Sequence, residues 1–141
     1  MIFRKGLVLD YRTLIDALMP TSDALALMEK YETDVDFRTP ELCFQMASRA
    51  LRQTLERRGL DPASASTALE QLSKLVQPLE HAIYDQFEQA ARERLIDDDL
   101  DQWPVLAVAL AFGDGIWSQD QVFFGVGIPV WTTRTVEIYL R

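Results

Sequence analysis

The stretch QWPVLAVALAFG, residues 102–113, is apolar almost all the way round a helix. A helix with no polar stripe has no face to turn to water and belongs inside a core. It is too short for a membrane span, which needs about 20 apolar residues. What flanks it fixes the class. GIWS and IPVWT follow as two short apolar runs separated by a Gly-containing turn, and GLVLD near the start is a third, ending at Asp10. Continuous apolar runs of this length, without polar alternation, predict strands buried on both faces. Such strands occur in parallel sheets covered by helices. The expected fold is therefore α/β: a three-layer arrangement in which a short, mostly parallel central sheet is flanked by helices.

The rest of the chain supplies those helices. YRTLIDALMP has Leu14, Ile15 and Leu18 at helical spacing and a stop at Pro20. TSDALALMEKYE restarts a helix with Thr21 or Ser22 as N-cap. In TPELCFQMASRALRQTLERRG, Thr39 fits the cap, Pro40 the first helical position and Gly59 the stop. DPASASTALEQLSKLV opens another helix at Asp61 and Pro62. KLVQPL is a short strand that Pro78 assigns to an edge or a strand end. EHAIYDQFEQAARERL is an amphipathic helix, and the tail RTVEIYLR is compatible with a strand or a helix. With no repeat, low-complexity segment or linker, residues 1–141 are expected to form a single domain.

A chain of 141 residues can bury a core without cross-links, and its lone Cys43 excludes an internal disulfide. The N-terminus MIFRKGLVLD does not resemble a signal peptide, so a cytoplasmic location is expected, with no membrane association. The net charge of −8 disfavours broad electrostatic binding of nucleic acid, which uses a basic surface. It is compatible with an enzyme that bridges its carboxylates to phosphates through metal ions.

The acids are placed suggestively. Asp10 and Asp120 each follow a strand-like run directly, and Asp97, Asp98, Asp99 and Asp101 precede the buried helix. Ligands of parallel sheets sit at the carboxyl ends of the strands. If the strands are parallel, Asp10 and Asp120 share that edge. The plain alternatives are that Asp10 caps the following helix and that the 97–101 aspartates form a solvated loop favoured by the helix dipole. Trp103, Trp117 and Trp131 read as packing residues, His81 as a surface or cap residue, and Cys43 as a small buried hydrophobe. No Ser-His-Asp arrangement, zinc spacing or phosphate-binding glycine loop is present.

The residues VLD at 8–10 with LIDALM behind them, and above all DQWPVLAVALAFGDGIWSQDQVFFGVGIPVWTT over 101–133, resemble the PIN domain, the fold of many toxin-type bacterial ribonucleases. The resemblance implies three or four acidic side chains at the carboxyl edge of the sheet holding Mg²⁺ or Mn²⁺, ions suited to hard oxygen ligands. It implies hydrolysis of RNA phosphodiesters by a metal-activated water. The first family acid falls on Asp10 and the fourth on Asp120. The second, a glutamate, falls on Gln45 or Met46, with Glu41 one turn early. The third falls on Gln102, leaving Asp101 or Asp99 to substitute, and a further aspartate falls on Val122. Ser118 stands where the family has a hydroxyl that can position phosphate or Asp120. The resemblance thus implies Asp10, Asp101 and Asp120 as catalytic residues and Asp10, Asp99, Asp101 and Asp120 as metal ligands. It also implies a small antitoxin-like partner that inserts a basic residue into the acidic groove. The neutral residues at Gln45, Met46, Gln102 and Val122 imply the alternative of a catalytically inactive PIN-fold binding or regulatory protein. The aliphatic face of TALEQLSKLV suits either a homodimer or the core.

Overall fold

The computed structural model describes residues 4–19, 22–96 and 102–141. Five parallel strands form one sheet in the order β3-β2-β1-β4-β5. They are β1 (Lys5–Leu9), β2 (Val35–Pro40), β3 (Val76–Leu79), β4 (Gly115–Trp117) and β5 (Val130–Trp131). The helices are α1 (Tyr11–Ala17), α2 (Ala24–Tyr31), α3 (Glu41–Arg57), α4 (Ser64–Leu72), α5 (His81–Tyr84), α6 (Glu88–Arg94), α7 (Trp103–Phe112) and α8 (Val136–Leu140).

The central strand explains the layers. Leu7, Val8 and Leu9 are fully buried, so β1 is covered on both faces. Helix α3 packs on β2 and β3 and holds α1 and α4 against it, while α7 packs on β1, β2 and β4 and holds α5 and α6. Every α7 residue from Trp103 to Ala109 is buried, as an all-apolar helix requires. Gly113 ends it in the left-handed conformation at φ 70°, which a glycine adopts without steric cost.

Strand order determines where a ligand can enter. From β1 the chain steps outward to β2 and β3, then returns to the other side of β1 to place β4 and β5. The winding direction reverses between β1 and β4, and parallel sheets open a crevice at the carboxyl ends of the strands at such a reversal. Leu9 lies opposite Trp117 in the register, so the residues that follow these two strands emerge side by side.

Several local expectations are corrected. Thr39 does not cap α3; it is the fifth residue of β2, and its buried hydroxyl donates to the Leu9 carbonyl at 2.7 Å. Pro40 ends that strand and occupies the cap position of α3. The cap of α2 is Asp23, although the Ser22 hydroxyl does accept the Ala24 N–H at 3.0 Å; Pro20 and Thr21 lie outside the described residues. The amphipathic segment after Glu80 is not one helix: a 3-10 turn at Asp85–Phe87 separates α5 from α6. The tail forms helix α8. Pro78 lies in β3, which is an edge strand. In TALEQLSKLV, Leu69 and Leu72 are buried, so that stripe belongs to the core. Among the described residues no helix is long and apolar enough to cross a membrane.

Candidate functional site

Asp10 leaves β1 in an extended conformation and caps α1. Its Oδ1 accepts the Thr13 backbone N–H at 2.9 Å and the Thr13 hydroxyl at 2.7 Å. The cap reading of the sequence is therefore correct, but it accounts for only one of the two carboxylate oxygens. The other, Oδ2, accepts the Ser118 hydroxyl at 2.5 Å. Ser118 follows β4 and is fully buried, and its Oγ in turn accepts the Asp120 backbone N–H at 2.9 Å. One hydroxyl thus fastens the first acid to the segment that carries the second.

The Asp120 carboxylate is also bonded at both oxygens. Its Oδ1 accepts the Val122 N–H at 3.0 Å, and its Oδ2 accepts from Gln102 Nε2 at 3.2 Å. Gln102 stands at the N-cap position of α7, with no side-chain capping bond, and is 4% exposed. Its Oε1 is buried and finds no hydrogen-bond partner among the described residues. An orphaned buried acceptor costs about 1–3 kcal/mol relative to a satisfied one. Thr13, Asp10, Ser118, Asp120 and Gln102 therefore form a continuous chain of hydrogen bonds across the β1/β4 crevice.

A cleft of about 250 Å³ opens here, lined by Asp10, Arg12, Gln119, Asp120 and Gln121. Arg12 brings a cation to it. Its Nε donates to the Tyr11 hydroxyl at 3.1 Å, and this contact, reinforced by the charges of Asp120 and Asp10, raises a guanidinium pKa that is already high. Asp16, further along α1, has its carboxyl pushed up, first by burial and then by the charge on Asp10.

The donor set can be tested against a divalent cation. An ionised carboxylate offers about four lone pairs. The hydrogen bonds above leave one open on Asp10 and two on Asp120. All are hard oxygens, as is the orphaned Gln102 Oε1. Mg²⁺ is commonly held by one or two carboxylates, with water and substrate phosphate completing its shell. The residues present fit such an ion, with less negative charge than a site of four carboxylates provides. Among the described residues no three His, Cys, Asp or Glu side chains gather.

The remaining expected positions lie elsewhere. Glu41 is exposed in the first turn of α3. Gln45 is exposed and lines a separate groove between α3 and α4 with Phe44, Arg49 and Arg52. Met46 is partly buried. Asp97, Asp98, Asp99 and Asp101 lie outside the described residues. The tryptophans are packing residues: Trp117 is fully buried with its Nε1 donating to Thr133, Trp103 packs edge-on to His81, and Trp131 stacks on Tyr139. Cys43 is buried, and burial pushes its thiol up to about 12, so it stays protonated and inert at neutral pH. Sequence reasoning missed Thr13 and Arg12. The Asp-x-x-Thr spacing at 10–13 was a visible signal for the first, whereas nothing local marks Arg12.

Asp10, buried, and Asp120, half-buried, thus stand just beyond the ends of the adjacent parallel strands β1 and β4, where the sheet reverses direction. The PIN-domain family model matches residues 8–141, and the chain belongs to that family. Among curated proteins no match to the sequence is found. Among solved structures, the chain is similar to PAE2754 from Pyrobaculum aerophilum, with a TM-score of 0.69 and 19% identity over 97% of this chain and 89% of that one. It is similar to FitAcB from Neisseria gonorrhoeae, with a TM-score of 0.65 and 17% identity over 91% and 98%. VapBC2 from Rickettsia felis, bound to a DNA fragment from their promoter, matches with a TM-score of 0.64 and 9% identity over 90% and 98%. At these identities the likeness concerns the fold.

Proposed function

We propose that this PIN-domain chain is the toxin-type ribonuclease of a toxin–antitoxin pair, hydrolysing RNA phosphodiesters with Mg²⁺ or Mn²⁺. The observation that carries the reading is the Asp10–Ser118–Asp120 linkage, which holds two acids together at the point where the sheet reverses direction. Two carboxylates in a confined space repel each other, and a divalent cation between them relieves that repulsion. When bound, the ion polarises a phosphate oxygen and lowers the pKa of a coordinated water. The chain's own residues hold and orient. Asp10 and Asp120 offer the charged oxygens, Ser118 fixes their separation, and Gln102 restrains Asp120 through its amide N–H. Asp99 or Asp101 completes the set in this reading. The small antitoxin-like partner expected from the family resemblance belongs to the same proposal: a basic side chain on it would satisfy the acid pair that the metal otherwise occupies.

The test is cleavage of single-stranded RNA by purified protein with Mg²⁺ or Mn²⁺. The expected result is chelator-sensitive cleavage that Asp10→Asn abolishes. A second reading, an inactive PIN-fold binding or regulatory protein, is favoured by one feature: the neutral amide of Gln102 beside Asp120. Folded protein that leaves RNA intact at millimolar metal would select it.

A further inference from the structure

The cleft contains one group that an acid pair does not need in order to hold a metal. Arg12 lies at its mouth with Asp10, Gln119, Asp120 and Gln121. The side chain is exposed, and its anchor is not a carboxylate but the preceding aromatic residue: Nε bonds to the Tyr11 hydroxyl, and the guanidinium lies 5.7 Å from the centre of the Tyr11 ring. Among the described residues only one of the five guanidinium N–H groups is used in this way, and the fork of terminal N–H donors meets no described acceptor. No described carboxylate stands within ion-pair distance of it. The guanidinium stays charged at any working pH, as an arginine side chain always does.

The surroundings say what that partner is. The protein carries a net charge of −8, and the floor of this cleft is acidic, so a polyanion is repelled everywhere except where a cation meets it. A guanidinium fork matches two oxygens of a phosphate group and binds them through paired, charge-assisted hydrogen bonds. The exposed position of Arg12, beside two acids that sit deeper, separates the two tasks. The acids hold a small cation, and Arg12 faces the solvent side from which a backbone would approach.

We propose that Arg12 is a substrate-positioning residue that grips a backbone phosphate of single-stranded RNA at the cleft mouth, anchored there by Tyr11. The inference rests on the ribonuclease reading above and adds a contact to it. A phosphate contact has a signature that a structural role lacks. Each neutralised phosphate of a single strand releases counterions and adds about 0.7 to the slope of log K against log salt.

The experiment measures binding of a fluorescent single-stranded RNA to the full chain by anisotropy, in Ca²⁺, at several salt concentrations. It compares wild type, Arg12→Gln and Arg12→Lys, with circular dichroism and melting confirming that each variant is folded. The expected result is affinity lowered about five- to tenfold in Arg12→Gln at low salt, with the slope reduced by about 0.7, and a slope restored in Arg12→Lys. Wild-type binding with an unchanged slope in Arg12→Gln overturns the role of Arg12 while leaving the ribonuclease reading intact. An unchanged slope together with tighter Mn²⁺ binding in Arg12→Gln overturns it in favour of a residue that merely neutralises the acid pair. Wild type that binds no RNA overturns both readings.

Discussion

Ser118→Ala removes one hydroxyl and leaves almost no cavity, so its effect isolates the linkage between the two acids. In the native protein that hydroxyl donates to Asp10 Oδ2 at 2.5 Å and accepts the Asp120 N–H at 2.9 Å, in a fully buried position. A buried hydrogen bond to a charged group contributes about 1.5–3 kcal/mol, and a neutral one about 0.5–1.5 kcal/mol. Asp10 retains both Thr13 contacts on its other oxygen, so it loses its bridge without losing its cap. Asp120 is only half-buried, and water can partly replace the lost acceptor for its N–H. The net cost is about 3 kcal/mol, or a fall in Tm of roughly 6–12 °C for a chain of this size. Urea unfolding followed by circular dichroism measures it directly. A loss below about 0.5 kcal/mol, the range of an ordinary surface substitution, would mean that the acids are positioned by something other than Ser118.

A methyl group at Gly6 would lie 2.0 Å from Asp114 Oδ1 and 2.5 Å from Arg38 Nη1, so Gly6→Ala should split the 2.7 Å Arg38–Asp114 pair and cost roughly 2–4 kcal/mol in urea unfolding. Burial raises the Asp114 carboxyl above its ordinary value, so the native state binds that proton more tightly than the unfolded state does. Its contribution to stability is therefore largest below about pH 3.8 and declines as pH rises towards its raised native value; Asp114→Asn should flatten that decline in urea midpoints taken between pH 3.5 and 7. Gln102→Glu replaces the amide donor 3.2 Å from Asp120 with a like charge, which should destabilise the metal-free protein by about 1–5 kcal/mol and make its Tm more responsive to Mn²⁺ than that of wild type.

The parts of the molecule written in continuous apolar runs could be read from the chain. β1, β4 and α7 are such runs, and the aspartates just beyond β1 and β4 inherit their placement from them. β2 was hidden because its sequence, VDFRTP, breaks the apolar pattern with Asp36 and Arg38. The sheet tolerates those charges because Arg4 pairs with Asp36 and Asp114 with Arg38, partners 32 and 76 residues away that no local pattern announces. Thr39-Pro40 then mimicked a helix start, since a capping threonine followed by proline looks the same in sequence as a strand end that leads into a helix. Within the site, Asp10 and Asp120 were visible as strand-end acids. Ser118 was visible only as a position, because its role depends on a contact that spans 108 residues. The assignment of Gln102 as a donor to Asp120 also needed the fold, which alone brings the start of α7 beside the end of β4.

Calorimetric titration with Mn²⁺ asks whether Asp10 and Asp120 form the divalent-cation site proposed above. The protein should bind the ion saturably, and binding should disappear when Asp10→Asn and Asp120→Asn are combined. Absence of binding by folded wild-type protein at millimolar Mn²⁺, or undiminished binding by the double variant, would mean that the two acids hold no such ion.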